Sequence, residues 1–330
     1  MNRRSIPVFF STDNNYAVPT YIAAYSMLKN CQDDFVIKIF VLVSEDFSKY
    51  NIDLLESLTK QFSFMELMII DDFDSFRDFE TNNQRISAAT MYKLLIPNIV
   101  EQFHDMRFDK CIFLDSDIVV EGNIADLFNN DLDENYIGGV RDRLLSGEGQ
   151  RELGDKLKLP SFDNYVNAGV LLFNIKEFRS HIGLSKALEE AGYRKDFPYN
   201  DQDALNTVCY GRIKVLPLKF NINTFCLHDR DPEFYAQYGL SNIIDARKNP
   251  VIIHYNTWKK PWMLKHIPMA GKWWKYVRMQ DKKIKELYLR PFLTDNRAPL
   301  FDSFIEGLKT FLIYMGIYNQ FKKAFKSRHV

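Results

Sequence analysis

The 330-residue chain has little cysteine, no net charge, no long apolar run and no glycine in the loop after its first strand-like segment. Each absence narrows what it is. The four cysteines, Cys31, Cys111, Cys209 and Cys226, carry no CxxC spacing. Cys111 lies in an apolar run and reads as a buried thiol, which suits a reducing compartment. Lys plus Arg and Asp plus Glu both total 43. Such a balance generates no global field to gather nucleic acid or an acidic polymer, so no nucleic-acid partner is expected and recognition must be local. The N-terminal MNRRSIPVFFSTDNNY turns polar at Ser11, too early for a secretory h-region. No uncharged apolar stretch reaches the roughly 18 residues that span a bilayer, the tract Thr310 to Phe321 coming nearest, so an integral membrane protein is not expected.

What is present is a core-forming composition. Hydrophobic residues make up 46% and aromatics 15%, enough to fill one large or two ordinary domains. Short apolar runs alternate with segments of helical period, which predicts an α/β fold with a mostly parallel sheet. Strands are predicted at Ile6 to Phe10, Phe35 to Val43 and Phe64 to Ile70. Helices are predicted after Pro19 and from Asp46 to Gln61. A helical segment, Ala88 to Phe103, leads into KCIFLDSDIVVEG, from Lys110 to Gly122. Its apolar part reads as a central strand, with its acidic end at the sheet's carboxyl edge, where open α/β sheets bind ligands. Strand-like runs at Tyr136 to Val140 and Tyr165 to Phe173 flank a polar segment expected to be a mobile loop. Helical patterns return at Leu184 to Lys195 and Asp201 to Tyr210.

Four short motifs carry chemistry. Asp115 and Asp117, at i and i+2 on extended backbone, project to one side and can converge on one hard cation. In the run Asn167 to Asn174, NAGVLLFN, Gly169 leaves no side chain in the way of a close ligand or backbone. The tract NDQDALN, Asn200 to Asn206, reads as a helix start favoured by its acids. The run VIIHYNTWKKPW, Val251 to Trp262, ends an apolar strand with His254, expected at the same sheet edge as the two aspartates, and puts a lysine pair within reach of a phosphate.

Taken in this order, LDSD, NAGVLLFN, DQDALN and HYNTWKKPW resemble glycosyltransferase family 8, which includes bacterial lipooligosaccharide and lipopolysaccharide hexosyltransferases and glycogenin. The resemblance runs from about Val8 to Trp262. It implies a GT-A fold, a nucleotide-binding sheet with helices on both faces, over residues 1–272, with residues 273–330 as a C-terminal helical extension. It further implies Mn²⁺, with Mg²⁺ as the alternative, held by Asp115, Asp117 and His254. Ser11, Asp13, Asn15 and Tyr16 resemble the uridine-binding loop, and Arg85 and Lys93 match positions near the donor's sugar and phosphates. Ser116 would lie beside the ribose, and Lys260 resembles the diphosphate-binding lysine. Asp142, Asn167, Asp201 and Gln202 would line the donor hexose, the last two nearest the reaction. Two departures stand out. Thr257 replaces a glycine often found between the metal histidine and the lysine, and Lys93 puts a point charge where an arginine fork is common.

The implied activity is retaining transfer of galactose or glucose from UDP-galactose or UDP-glucose to a glycan acceptor such as lipopolysaccharide. A front-face route, in which a UDP oxygen takes the acceptor proton, is preferred because the sequence offers no clear nucleophile. Two rivals remain: a silent sugar-nucleotide or glycan binder, and a metal-dependent nucleotidyltransferase, which normally needs a Gly-rich phosphate loop. From Ser303 to Val330, apolar residues at helical spacing accompany Lys309, Lys322, Lys323, Lys326 and Arg328. That pattern fits a helix lying on an anionic membrane surface, hence a cytoplasmic protein peripheral to the inner face of the membrane, and fits equally a terminal helix docked on its own domain.

Overall fold

A computed structural model describes residues 4–32, 34–71, 75–76, 87–102, 107–142, 148–223, 236, 238–297 and 307–308. Arg85, Cys226 and the tail from Ser303, except Gly307 and Leu308, lie outside the described residues.

Strand β1 (Arg4–Ser11) is followed by helix α1 (Ala17–Asn30), strand β2 (Phe35–Leu42), helix α2 (Lys49–Glu56) and strand β3 (Met65–Ile70). Pro19 sits in the first turn of α1, where its missing N–H has no intrahelical partner to lose. Ser48 caps α2 by accepting from the Asn51 amide. The stretch predicted as one helix from Ala88 divides into a 3₁₀ segment, Ala88–Leu95, and α3 (Ile96–Gln102), with Pro97 at the start of the α turn.

The segment from Lys110 also divides. Strand β4 (Lys110–Leu114) stops before Asp115, and β5 (Ile118–Val120) begins after Asp117 in another sheet. Then come α4 (Ile124–Phe128), β6 (Ile137–Arg141), α5 (Glu148–Leu157), β7 (Val166–Asn174), α6 (Ile175–Ser180), α7 (Leu184–Gly192) and α8 (Asp201–Val208). The expected mobile loop between β6 and β7 thus carries helix α5, because Leu153 and Leu157 find a core to bury in. Strands β8 (Ile213–Leu216), β9 (Ile222–Asn223) and β10 (Ile252–His254), with helices α9 (Leu240–Lys248) and α10 (Ala270–Met279), complete the elements that frame the site.

The main sheet has seven strands in the order β3-β2-β1-β4-β7-β6-β8. Strands β1 to β4 pair in parallel, and β7 runs antiparallel between β4 and β6. The reversal brings the start of β7 to the carboxyl ends of β1 and β4. Because strand side chains alternate, each central strand feeds two cores. Val8, Ile112 and Leu172 enter the core formed with α1, α9 and α10, while Phe9, Phe113 and Leu171 enter the core formed with the 3₁₀ segment, α3, α7 and α8. Helix α10 crosses position 272 and sets Trp273 and Tyr276, both fully buried, into the first core. Packing of the main body therefore continues past that residue.

Candidate active site

His254 arrives by a route the sequence did not disclose. Its strand belongs to a separate three-stranded sheet, β5-β10-β9, and not to the edge of the main sheet. There β10 pairs antiparallel with β5, His254 opposite Ile118, next to Asp117. The amide of Tyr255 donates to the carbonyl of Asp117 at 2.9 Å, locking the two segments together. On the other side, the Asp115 amide donates to the carbonyl of Gly169 at 2.8 Å, so the start of β7 closes the site.

Asp115, Asp117 and His254 therefore meet, with one ligand atom from each lying within 4.8 Å of the others. His254 Nε2 is 3.1 Å from Asp117 Oδ1 and 3.7 Å from Asp115 Oδ2. Its Nδ1 lies 3.0 Å from Asn221 Oδ1, an oxygen that can only accept, so Nδ1 carries a proton. With a cation bound, Nε2 would turn its lone pair to the space it shares with the two carboxylates. Two anions and an imidazole lone pair facing one point form a donor set for a divalent cation, and the residues fit such an ion.

Lysines already compensate both carboxylates. Burial alone would raise the Asp117 pKa, but Lys260 and then His254 outweigh it and hold the carboxyl well below the usual range. Lys260 Nζ is 2.5 Å from Asp117 Oδ2 and also donates to the Tyr255 carbonyl at 2.8 Å. Lys93 is 1% exposed, and its ammonium lies 2.9 Å from Asp115 Oδ1 and 2.7 Å from Asp201 Oδ2. It also donates to the Ala168 carbonyl at 3.2 Å. Burial would lower the Lys93 pKa, but Asp115 and Asp201 together raise it. The Asp201 carboxyl is pushed above its ordinary value because burial exceeds the help from Lys93. Lys93 thus bridges the carboxylates of Asp115 and Asp201.

A cleft of about 960 Å³ opens on these residues. Its lining brings together residues of the N-terminal loop, Ser11, Asp13, Asn15 and Tyr16, the turn Asp115, Ser116 and Asp117, and Thr257, Trp258 and Lys260. Asp13 Oδ1 accepts from the amides of Asn15 at 2.9 Å and Tyr16 at 3.0 Å, which shapes the loop entering α1. Ser116 is buried, donating to the Ser11 carbonyl at 3.0 Å and accepting from Thr20 Oγ1 at 2.7 Å. It ties the acidic turn to the N-terminal loop. Lys93, Asp142, Asn167, Asp201, Gln202 and His254 are not among the residues lining this cleft. They form a connected layer beside it: Gln202 donates to Asp142 Oδ2 at 2.6 Å, and its Oε1 accepts from Asn167 Nδ2 at 3.1 Å and from the Ala168 amide at 3.2 Å. Sequence reasoning missed Asn221, Thr20 and the polar side chains Tyr165 and Asp203 behind Gln202. Asn221, Thr20 and Tyr165 carry no local motif, and the tract that holds Asp203 reads only as a helix start.

GlyB, a glycosyltransferase of Streptococcus pneumoniae serotype 4, is 28% identical over 303 residues, 88% of this chain and 67% of that protein. The lipopolysaccharide 1,2-glucosyltransferase of Escherichia coli is 26% identical over 79% of this chain and 74% of its own length. Among solved structures, the bifunctional glycosyltransferase WbbM superposes with a TM-score of 0.71 at 25% identity, over 87% of this chain and 52% of that one, so the chain spans about half of WbbM. Galactosyltransferase LgtC, in complex with donor and acceptor sugar analogs, superposes with a TM-score of 0.67 at 25% identity, over 86% of this chain and 100% of that one. The pattern of glycosyl transferase family 8 matches residues 7–265, and the fold is GT-A. The chain belongs to glycosyl transferase family 8 and is a glycosyltransferase.

Proposed function

We propose that the protein transfers a hexose, galactose or glucose, from a UDP-sugar to a glycan acceptor with retention at the anomeric carbon, using Mn²⁺ bound by Asp115, Asp117 and His254. The observation that carries this reading is the convergence of those three side chains beside a cleft whose lining includes Asp115, Asp117, Lys260 and residues of the Asp13–Tyr16 loop. The relationship to a lipopolysaccharide glucosyltransferase supports a lipopolysaccharide or other cell-surface glycan as acceptor.

Cleavage of the bond from the anomeric carbon to UDP leaves charge on the diphosphate while the sugar becomes oxocarbenium-like. A divalent cation at this site supplies Lewis-acid stabilisation of that leaving group. Lys260, tethered to Asp117, lines the same cleft and adds a second positive charge. Tyr16 and the backbone turned by Asp13 offer the base a ring face and an edge. Asp201, buried beside Lys93, orients donor hydroxyls and stabilises the developing cation.

Both ends of the Gln202 amide are engaged by the protein, which holds its position and leaves it poorly suited to attack. This favours the front-face route, in which a UDP oxygen accepts the proton of the incoming hydroxyl. The basic tail is proposed to hold the enzyme at an anionic membrane surface. Among the described residues no helix is long and apolar enough to cross a membrane.

A panel of UDP-sugars assayed for Mn²⁺-dependent hydrolysis without acceptor tests the reading. Release of UDP from UDP-galactose or UDP-glucose, abolished by EDTA and by Asp117→Ala, is expected. Metal-independent release, or release of pyrophosphate in place of UDP, would remove it.

A further inference from the structure

Asn221 stands behind the candidate metal site, 2% exposed, between a short 3₁₀ turn (Leu218–Phe220) and β9. Nothing in its neighbourhood marks it in the sequence, yet it touches the one nitrogen ligand of the cluster. Its carbonyl oxygen takes the Nδ1–H of His254 at 3.0 Å. Its amide then donates to Asn167 Oδ1 at 2.8 Å, an oxygen that also accepts the Gly169 amide at 3.0 Å. Asn167 donates onward to Gln202 Oε1 at 3.1 Å, and Gln202 donates to Asp142 Oδ2 at 2.6 Å. Four bonds therefore run in one direction, from an imidazole N–H through three amides to a carboxylate.

This polarity has consequences. An amide that accepts at its oxygen can donate at its nitrogen without rearrangement, so every link enforces the next, and the carboxylate at the far end fixes the sense of the whole row. Reversing any amide would set two acceptors or two donors face to face in a largely buried row, each an unmet polar group. The row also joins the metal end of the site to the residues proposed to line the donor hexose.

We propose that Asn221 is a positioning residue that holds His254 in its Nδ1–H tautomer and, through Asn167, couples the imidazole to Gln202 and Asp142. The proposal rests on the metal-dependent reading given above. It deepens that reading by assigning a residue outside the ligand set and by making cation binding and the orientation of Gln202 parts of one equilibrium. Whatever stabilises one end stabilises the other, by the same factor.

Mn²⁺ affinity of the full-length protein, measured by calorimetry and by loss of the free-ion electron paramagnetic resonance signal, tests this without turnover. Asn221→Ala is expected to weaken Mn²⁺ binding by about 10- to 100-fold, the usual cost of losing a partner behind a ligand. Asn221→Asp keeps an acceptor for Nδ1–H but sets a second acceptor against Asn167 Oδ1, so it is expected to recover part of the affinity lost in Asn221→Ala, a rescue that a merely structural role would not give. Gln202→Leu, cut at the opposite end, should weaken Mn²⁺ by a few-fold. It tests the coupling independently should Asn221→Ala fail to fold, as judged by thermal melting, in which case the comparison of Asn221→Asp with wild type reads the tautomer role.

Binding by Asn221→Ala within twofold of wild type, or equal weakness of a folded Asn221→Asp, would overturn the tautomer role. Unchanged affinity in Gln202→Leu would overturn the coupling. Wild-type protein that binds no Mn²⁺, or binds it equally well as Asp117→Ala, would instead bring down the metal-dependent reading itself.

Discussion

Gly169 faces His254 so closely that a β-carbon built on the glycine would lie 2.2 Å from His254 Cε1 and 2.6 Å from Asp115 Oδ2. The start of β7 is therefore in contact with two of the three candidate ligands, and the absence of a side chain there is what lets the imidazole reach the carboxylates. Gly169→Ala must push His254 aside. Crowding of this kind costs about 1–3 kcal/mol of stability. The expected outcome is a lower melting temperature together with loss of Mn²⁺ binding by at least about tenfold, read by calorimetry. Retention of wild-type affinity would mean that the imidazole is not a ligand.

Lys260 sits on Asp117, acting as an internal counter-cation for a carboxylate that a metal would also need. Lys260→Met should consequently bind Mn²⁺ more tightly than wild type in the absence of UDP. It should bind UDP more weakly and turn over more slowly by about 10²-fold, the scale of losing one charge at a leaving group. Calorimetry with and without UDP separates the two effects. Parallel weakening of both ligands would place the lysine in a purely structural role.

Asp201→Asn preserves size and an acceptor for Lys93 while removing the charge proposed to support the oxocarbenium-like sugar. A fall in kcat of about tenfold or more is expected, with KM for the UDP-sugar and the melting temperature changed little. Near-normal turnover in this variant, beside an inactive Asp117→Ala, would assign the carboxylate to holding Lys93 and nothing else.

Glu121 gives a stability prediction with a defined sign. Its burial opposes ionisation, but hydrogen bonds from Lys272 and Tyr276, reinforced by Lys275, prevail and lower its pKa below the ordinary 4.5. A depressed carboxyl stabilises the fold above its unfolded pKa, and the contribution disappears as pH falls through the folded value. Glu121→Gln should thus cost about 1–2 kcal/mol near pH 7, limited by solvent around the lysines, and progressively less below about pH 4. Denaturant melts across that range check it, and a pH-independent difference would contradict it.

The sequence disclosed the parts of this molecule whose cause is local. Val8, Ile39 and Ile112 lie in short apolar runs, and those runs are strands; the acidic turn after Leu114 does fall at the carboxyl edge of the sheet. Gly169 was readable as a place where something must come close. What could not be read depends on residues far apart in the chain. The pairing of β10 with β5 joins Ile253 to Val119 across more than a hundred residues, and either run alone fits a main-sheet strand equally well. That Asp115 and Asp201 both pair with Lys93 was likewise not readable, since the three residues lie far apart in the chain. The 3₁₀ winding of Ala88–Leu95 follows from packing against α7 and α8, since a helical period by itself does not distinguish the two windings. Asn221 is one polar residue in an apolar neighbourhood and acquires meaning only from His254 and Asn167.

The tripeptide between β4 and β5 is also the joint at which the chain leaves one sheet for another. Its length sets three things at once: the side toward which each aspartate projects, the alignment of β5 on β10, and the height at which His254 stands opposite Ile118. Lengthening or shortening it by a single amino acid would turn one carboxylate away and slide the small sheet by a residue, a change no side-chain substitution can undo. A change of length is therefore expected to be disruptive here, whereas the exposed turn around Ile182 and Gly183 should accept an insertion at little cost.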